Sequence, residues 1–290
     1  MYSKHILIFN KLSHIYEKLG DDIRATAYHN LSKRLELGNL EGISKKSMDK
    51  IKEIDEKGYL KLLRDLERDK DISRRLRLTE ILGVGPKLAE ELVEKKIYTF
   101  SEFKKLGNHT QLQKLGIKYY NKVSLPSVRT FKKIIDILKK DTPNLKKLEI
   151  AGSYRTGNKS PNDIDLIVCT RTGEIEPIIK ILEEKKLLLD YVKSGKQDLL
   201  GFIKISDKIY RIDIKCTVPK YFYSYLLYFG SGKYFSKYIR GVAKQKGYKL
   251  NQYGIVDFKT GGIKTFKSEK SIFHFLGVKY YSPLERVKYF

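Results

Sequence analysis

Residues 162–168, Asn-Asp-Ile-Asp-Leu-Ile-Val, set two carboxylates inside an apolar run that predicts a buried strand. Because residues i and i+2 of a strand point to the same side, Asp163 and Asp165 are expected on one face. A second run, Ile209-Tyr-Arg-Ile-Asp-Ile214, predicts another strand, and it contains Asp213. If the two strands are neighbours, the three carboxylates meet at one place on a sheet.

Three carboxylates in one place predict a bound cation. Ionised carboxylates repel one another and are costly to bury, so a positive ion is the natural partner. Hard oxygen ligands favour Mg²⁺, and two such ions would hold the attacking and leaving oxygens of an in-line phosphoryl transfer. The alternative is a surface hairpin with solvated carboxylates, but surface carboxylates rarely lie among Ile, Leu and Val. The pattern therefore predicts nucleotidyl transfer.

The composition predicts a polyanionic partner. The 290 residues include 59 Lys and Arg against 34 Asp and Glu, a net charge of +25 spread over the whole length. A ribosomal or membrane-surface protein would also be basic, but neither needs three aspartates in apolar strands. Apolar runs are too short for a signal peptide or a membrane span, so no membrane partner is expected.

The two cysteines and the most abundant residue types indicate where the protein is located. Cys169 and Cys216 suit reduced thiols of an intracellular protein and lack metal-site spacing. Abundant Lys, Ile, Tyr and Asn hint at an A/T-rich genome. We therefore expect a nuclear protein if the source is cellular, and host cytoplasm or virion if it is a large DNA virus.

Apolar spacing along the chain predicts an α+β fold with an all-helical first half. The predicted helices before residue 70 include Ile23–Leu37, Lys46–Ile54 and Leu60–Leu66, and Arg64–Asp71 is predicted to be a charged linker. Further short helices follow to about residue 140. Strands are predicted at Leu148–Ala151, Asp163–Thr170, Leu199–Ile205 and Ile209–Thr217, and later helices at Glu176–Lys186, Tyr221–Phe229 and Tyr234–Gln245.

A weak internal repeat predicts two helix-hairpin-helix elements. Residues 40–51 and 82–92 each join a glycine-bearing turn directly to an amphipathic helix. Glycine lets the backbone approach a phosphate, and the helix start supplies free N–H groups. The second copy matches well, with Gly83 and Gly85, whereas Ser44 replaces the second glycine of the first copy. Either copy alone is also compatible with an ordinary helix start; two copies in a basic chain favour contact with DNA backbones.

Together these motifs resemble family X DNA polymerases of the DNA polymerase beta group, from about residue 10 to the C-terminus. The resemblance rests on Gly152-Ser-Tyr-Arg155, Asn162-Asp-Ile-Asp165, Arg211-Ile-Asp-Ile214, Leu227-Tyr-Phe-Gly-Ser-Gly232 and Lys246-Gly-Tyr-Lys-Leu-Asn-Gln-Tyr253. It implies four parts: a helical lyase domain (1–70), a helical DNA-binding subdomain (71–140), a catalytic palm with a mixed β-sheet (141–218) and an α+β nucleotide-selecting subdomain (219–290).

The resemblance assigns roles in the palm. Asp163 and Asp165 match residues that bind both metal ions, and Asp213 matches the one that binds the catalytic ion and activates the primer 3′-hydroxyl. It implies two Mg²⁺ ions, for which Mn²⁺ can substitute, and a dNTP substrate. The matching nucleotide contacts are Ser153, Arg155, Asn162, Tyr228, Phe229, Gly230, Ser231 and Gly232. Thr156 and Ser127 stand where arginines are usual, and Asn162 stands where glycine is usual.

The resemblance also implies DNA contacts. In the first domain Lys50 matches a Schiff-base lysine that removes 5′-deoxyribose phosphate, although composition alone predicts a solvated lysine there. The expected DNA-binding residues are Arg24, Tyr28, Lys46, Gly83, Gly85, Lys87, Lys237 and Arg240. A Na⁺ or K⁺ ion is expected on the backbone carbonyls of Thr79, Ile81 and Val84.

The sequence therefore predicts a monomeric DNA-directed polymerase that fills short gaps in gapped or nicked DNA during base excision repair, with a 5′-deoxyribose-phosphate lyase. Two alternatives remain at this point. One is a template-independent, terminal-type nucleotidyltransferase, because Gly-Ser and Asp-x-Asp are shared across that superfamily. The other is a catalytically inactive helix-hairpin-helix protein that only binds DNA.

Overall fold

The computed structural model describes residues 2–290, and the chain divides into two compact units at Tyr120 and Asn121. The described part of the first unit is helical. Its helices are α1 (Ser3–Lys18), α2 (Asp22–Glu36), α3 (Lys45–Lys57), α4 (Lys61–Arg68), α5 (Lys70–Leu78), α6 (Pro86–Glu94), α7 (Phe100–Lys105) and α8 (Gln111–Lys118).

Two apolar cores hold this first unit. The α1 residues Phe9 and Leu12 pack with Ile51 and Ile54 of α3, since their helical spacing places each pair on one face. A second core lies further along the chain and includes Ile81, Val84, Leu92 and Phe103. The helices that follow the two glycine-bearing turns thus each contribute to a core.

The predicted linker Arg64–Asp71 is wrong. The stretch is helical on both sides of Asp69, with α4 ending at Arg68 and α5 beginning at Lys70. The Asp69 carboxylate accepts hydrogen bonds from the N–H groups of Asp71 and Ile72 and so caps α5. The high charge density of this stretch predicted a linker, but on short helices such charge is typical of the solvent-exposed face.

The second unit carries two sheets. Its elements are α9 (Val128–Asp141), β1 (Lys147–Ile150), α10 (Gly152–Arg155), β2 (Ile164–Cys169), α11 (Glu176–Glu184), β3 (Leu188–Ser194), β4 (Asp198–Ile205), β5 (Lys208–Thr217), a 3₁₀ turn (Pro219–Tyr221), α12 (Phe222–Phe229), α13 (Lys233–Gln245), β6 (Tyr248–Asn251), β7 (Gly254–Asp257), β8 (Ile263–Lys264), α14 (Glu269–Phe275) and α15 (Pro283–Tyr289). The first sheet has the order β1-β2-β5-β4-β3 and the second β6-β7-β8.

The five-stranded sheet is mixed, because β2 and β5 are parallel and the other pairs are antiparallel. Ile164, Leu166, Ile212 and Ile214 point to one face and pack in the main core with residues of α9 and α11. The intervening positions point to the other face, part of which packs against α12. The carboxylates lie on this second face.

These features confirm the predicted α+β fold with a helical first half and a mixed sheet. Strand β3 was not predicted, and α9 packs into the sheet core although the sequence placed it in the 71–140 subdomain. The four-part division of the chain therefore stays a prediction. Within residues 2–290 no helix is both long enough and apolar enough to span a membrane.

Candidate active site

The three predicted carboxylates converge on the sheet. Asp165 of β2 is the register partner of Asp213 on the parallel neighbour β5, about 4.8 Å away by the usual strand spacing. Asp163 directly precedes β2, two residues from Asp165 and hence on the same face. The side chains of Asp163 and Asp213 are 22% and 27% exposed, so both remain open to a ligand.

Two cations of the chain itself contact this trio. Arg211 Nη2 donates to Asp163 Oδ2 at 2.6 Å, and Lys215 Nζ lies 3.0 Å from Asp213 Oδ1. Lys215 also lies 3.6 Å from Oδ1 of Asp198 on β4. Neither Arg211 nor Lys215 was predicted to belong to the site, although their i±2 spacing from Asp213 indicates a shared face.

Crowding and burial change the proton affinity of the carboxylates. Burial first, and then the charges of Asp163 and Asp213, raise the pKa of Asp165 from 3.8 to about 7. Burial also raises the pKa of Asp213, with Lys215 acting in the opposite direction. The two nearby cations therefore do not fully balance the trio, and a further positive charge would stabilise its ionised form.

The donor chemistry of the trio fits divalent cations. Asp213 Oδ1 is buried and has no well-aligned hydrogen bond, although Lys215 is near, so it is available to a ligand. Carboxylate oxygens are the ligands that Mg²⁺ prefers. No cluster of three or more His, Cys, Asp or Glu in residues 2–290 already has the arrangement of a metal site. An ion would therefore draw the carboxylates together and compete with Arg211 and Lys215.

The predicted Gly152-Ser153 turn lies directly against the trio. The Ala151 N–H donates to the Asp165 backbone carbonyl at 2.9 Å, which joins the turn to β2. Gly152 has a φ of +56°, and a Cβ there would overlap Oδ2 of Asp165. Only glycine suits this position, because it adopts left-handed backbone and leaves room for the carboxylate. Ser153 follows on the short helix α10, and its triphosphate contact stays a prediction.

We expect Gly152→Ala to lower the stability of the protein by more than the cost of a positive φ alone. It should lower the free energy of unfolding by about 2 kcal/mol or more, since it adds overlap with Asp165 to the cost of positive φ. The matched control is Gly195→Ala, with φ +64° and open space around a Cβ, for which about 1 kcal/mol is expected. Urea unfolding of both variants tests this; equal losses would contradict the close approach.

The raised pKa of Asp165 predicts a pH-dependent stability. In the unfolded chain its carboxyl ionises near 3.8, so the native state holds the proton more tightly between pH 4 and 7. The stability present at acid pH is therefore lost as the pH rises through that window. In metal-free buffer we expect Asp165→Asn to raise the free energy of unfolding at pH 8 by about 2 to 4 kcal/mol, with little effect at pH 4. Urea titrations at both pH values check this, with exposed Asp207→Asn as the control.

Arg155 joins α10 to the C-terminal part of the second unit. Its Nη2 donates to Glu269 Oε2 at 2.6 Å, and its Nη1 donates to the Gly230 carbonyl at 2.9 Å. Glu269 also accepts from fully buried Arg286 at 2.8 Å, which donates to Ser231 Oγ at 2.9 Å. The hydroxyl of Ser231 and the guanidinium of Arg155 are thus used within the protein, and their nucleotide contacts stay a prediction.

The predicted aromatic segment lies at the end of α12, followed by the turn from Gly230 to Gly232. Lys215 Nζ lies 5.5 Å from the ring centre of Phe229, which places this ring beside the carboxylate trio. The Arg240 guanidinium lies 5.7 Å from the ring of Tyr228. Lys237 is half-buried and exposed Arg240 lies one turn later on α13, while Asn162 is exposed just before β2.

In the first unit, the predicted lyase residues lie on α2 and α3. Lys46 is exposed, and half-buried Lys50 donates from Nζ to the Lys46 carbonyl at 3.2 Å. Tyr28 stacks on Tyr16 with ring centres 5.6 Å apart, and Arg24 lies over Tyr16 at 5.2 Å. Burial raises the pKa of Tyr28 to about 12. The covalent role of Lys50 stays a prediction.

The second glycine-bearing turn has the predicted local form. Gly83 has φ +87°, and Gly85 is the N-cap of α6, with Pro86 at the first helical position. Exposed Lys87 lies in the first turn of α6. The Ile81 carbonyl accepts a hydrogen bond from the Val84 N–H at 2.9 Å, which closes the turn. Contact with DNA, and a monovalent ion on the carbonyls of Thr79, Ile81 and Val84, stay predictions.

Comparison with known proteins agrees with this geometry. The family model of the DNA polymerase beta palm matches residues 127–220, and that of the DNA polymerase beta thumb matches residues 225–287. DNA polymerase lambda of Arabidopsis thaliana is 28% identical over 323 aligned residues, which cover 96% of this chain and 61% of that protein. DNA polymerase lambda of Rattus norvegicus is 24% identical over 316 aligned residues, covering 95% and 54% respectively.

The matched palm contains the carboxylate sheet, and the matched thumb contains the aromatic segment and α13 to α15. The chain belongs to the family X DNA polymerases, in the DNA polymerase beta-like group. This confirms the resemblance found in the sequence. The chain spans about three fifths and about half the length of the two relatives. Proteins of this family use divalent metal ions.

Proposed function

We propose that this protein is a DNA-directed DNA polymerase that fills short gaps in DNA. The observation that carries the proposal is the convergence of Asp163, Asp165 and Asp213 on one sheet face beside the Gly152 turn. The net charge of +25 supports a nucleic-acid partner, and the two turn-helix elements support contact with its backbone. The two relatives named DNA polymerase lambda support the same activity.

In the proposed reaction, the three aspartates hold two divalent ions, Mg²⁺ with Mn²⁺ as a substitute. Bound ions neutralise the negative charge that develops on the phosphoryl oxygens. Asp213, whose pKa is raised by burial, is suited to accept the proton of a primer 3′-hydroxyl placed beside it. The Gly152-Ser153 turn and the start of α10 offer donors to the triphosphate oxygens.

Templated incorporation on a gapped duplex tests this proposal. With Mg²⁺ and a 5′-phosphorylated one-nucleotide gap, we expect the complementary dNTP to be added far faster than the other three, and chelation to stop the reaction. Equal addition of all four dNTPs on any template would establish the template-independent alternative. Tight DNA binding without any metal-dependent extension would establish the inactive DNA-binding alternative.

We further propose a 5′-deoxyribose-phosphate lyase in the first unit, with Lys50 as the nucleophile. Lys46, Arg24 and Tyr28 supply the phosphate contact and the pocket wall in this proposal. Borohydride trapping on an incised abasic duplex should be lost in Lys50→Ala and retained in Lys52→Ala, a matched control on the same helix. Equal trapping by the two variants would show that another amine forms the Schiff base.

Two accessory features complete the proposal. The second turn binds the primer side of the DNA, with Na⁺ or K⁺ on the carbonyls of Thr79, Ile81 and Val84, and Lys237 and Arg240 contact the template.

The enzyme acts as a monomer on gapped or nicked DNA, in the nucleus of a cellular source. The two named relatives come from a plant and a mammal, and they lend no support to a viral source.

A further inference from the structure

One arginine joins the two turn-helix elements of the first unit. Arg75 on α5 donates from Nη2 to the carbonyl of Leu19, the C-cap residue that directly follows α1, at 3.2 Å. Its Nη1 also lies 2.9 Å from Glu90 Oε1 on α6, and the arginine side chain is only 19% exposed. Helix α1 packs with α3, which follows the first turn, whereas α6 follows the second turn directly. Arg75 therefore connects α1, which packs with the helix after the first turn, to α6, the helix after the second turn.

A close approach of Gly20 to the Pro86 side chain supports the same connection. Gly20, with φ +82°, follows the end of α1, and a Cβ there would lie 3.1 Å from Cβ of Pro86. Pro86 is the first residue of α6 and directly follows Gly85 of the second turn. We call the Arg75 contacts and the Gly20–Pro86 approach the joint. The joint lies beside the second turn, so a rotation there moves the second turn relative to the first.

We propose that Arg75 sets the length of the DNA gap that the enzyme prefers, by fixing the separation of the two turns. The inference rests on the proposed function, in which one turn holds the primer side and the other the downstream strand. Each unpaired template nucleotide changes the distance between those two sides by about 3.4 Å, the rise per nucleotide of one strand. A fixed joint matches one gap length, whereas a loose joint tolerates several.

The test compares Arg75→Met with a matched control on the same helix. Arg74→Met is the control, because Arg74 pairs with Asp71 at 2.7 Å and lies over the Tyr98 ring at 3.7 Å, which are not the contacts of Arg75. Each protein is assayed on one-nucleotide gaps, on six-nucleotide gaps and on an open primer–template. The separation of α3 and α6 is measured by electron–electron resonance between spin labels on Lys52→Cys and Glu94→Cys, both exposed positions.

We expect Arg75→Met to lower the preference in kcat/KM between the two gap lengths by about tenfold, the effect of losing one hydrogen bond to a charged group. The distribution of its label distances should broaden, while its extension of the open primer–template should match the wild type. Arg74→Met should match the wild type in both gap preference and label distances. Arg75→Lys keeps one charged donor and should fall between these results. It also serves if Arg75→Met does not fold.

Three results would overturn the inference. These are an unchanged gap preference in both Arg75 variants, an unchanged label distribution, or a wild type without gap preference. Templated extension of the open primer–template separates these outcomes from failure of the proposed function. If extension persists while the gap preference does not depend on Arg75, only the role of Arg75 is wrong.

Discussion

Replacing Asp213 by asparagine is expected to lower single-nucleotide gap filling by about a thousandfold or more, because a carboxamide can neither ligate a divalent ion strongly nor accept the primer proton. The variant keeps the volume of the side chain, which is 27% exposed in Asp213. The fold should therefore persist, and single-turnover kinetics will report the chemistry rather than loss of protein.

The matched control is Asp207→Asn, at an exposed position in the turn between β4 and β5. It makes the same change of charge on the same hairpin, so it corrects for any weakening of DNA binding by net charge. We expect the control to incorporate at the wild-type rate. Activity of Asp213→Asn within tenfold of the control would show that the trio does not carry the reaction.

Replacing Arg286 by methionine is expected to cause the largest loss of stability, about 3 to 5 kcal/mol, the usual cost of breaking a buried ion pair. Arg286 is fully buried, donates to Glu269, Ser231 and the Tyr281 carbonyl, and lies 5.3 Å from the ring centre of Phe235. Its loss removes one of the two arginine partners of Glu269 and the donor to Ser231 Oγ, so buried oxygens lose hydrogen bonds, which adds to the cost.

Urea unfolding of the second unit checks this prediction, with Lys288→Met on the same helix α15 as the control. Lys288 is exposed, so its replacement should change the free energy of unfolding by less than about 0.5 kcal/mol. Because Arg155 shares Glu269 with Arg286, the joint between α10 and the thumb should also loosen. A loss below about 1 kcal/mol in Arg286→Met would contradict the role of this network.

The carboxylate site was largely predictable from local sequence, because its signals are local. The i, i+2 spacing of Asp163 and Asp165 defines a strand face without any knowledge of the fold. The adjacency of this face to Asp213 depends on a parallel pairing between distant segments. From the residues alone, that adjacency was predicted only on the condition that the two strands are neighbours. The resemblance to family X polymerases, and not the spacing, indicated that the condition was met.

Features that depend on distant contacts were missed. Arg155 pairs with Glu269, which lies 114 residues away along the chain. The sequence therefore indicated only a basic residue beside a phosphate-binding turn, and not this ion pair. Strand β3 lies at the sheet edge without a buried residue, and its sequence lacks a clear apolar alternation. The stretch from residue 64 to 71 was missed for a different reason: its charge alone predicted a linker, although a local cap by Asp69 joins two helices there.

Divalent metal binding by the trio itself can be measured directly. Mn²⁺ electron paramagnetic resonance, with a complementary dNTP and a gapped duplex whose primer lacks the 3′-hydroxyl, reports bound ions without turnover. We predict saturable Mn²⁺ binding by the wild type, and at least about tenfold weaker binding by Asp165→Asn and by Asp213→Asn, since each variant removes one charged ligand. Equal Mn²⁺ affinity in all three proteins would contradict a metal site on this sheet.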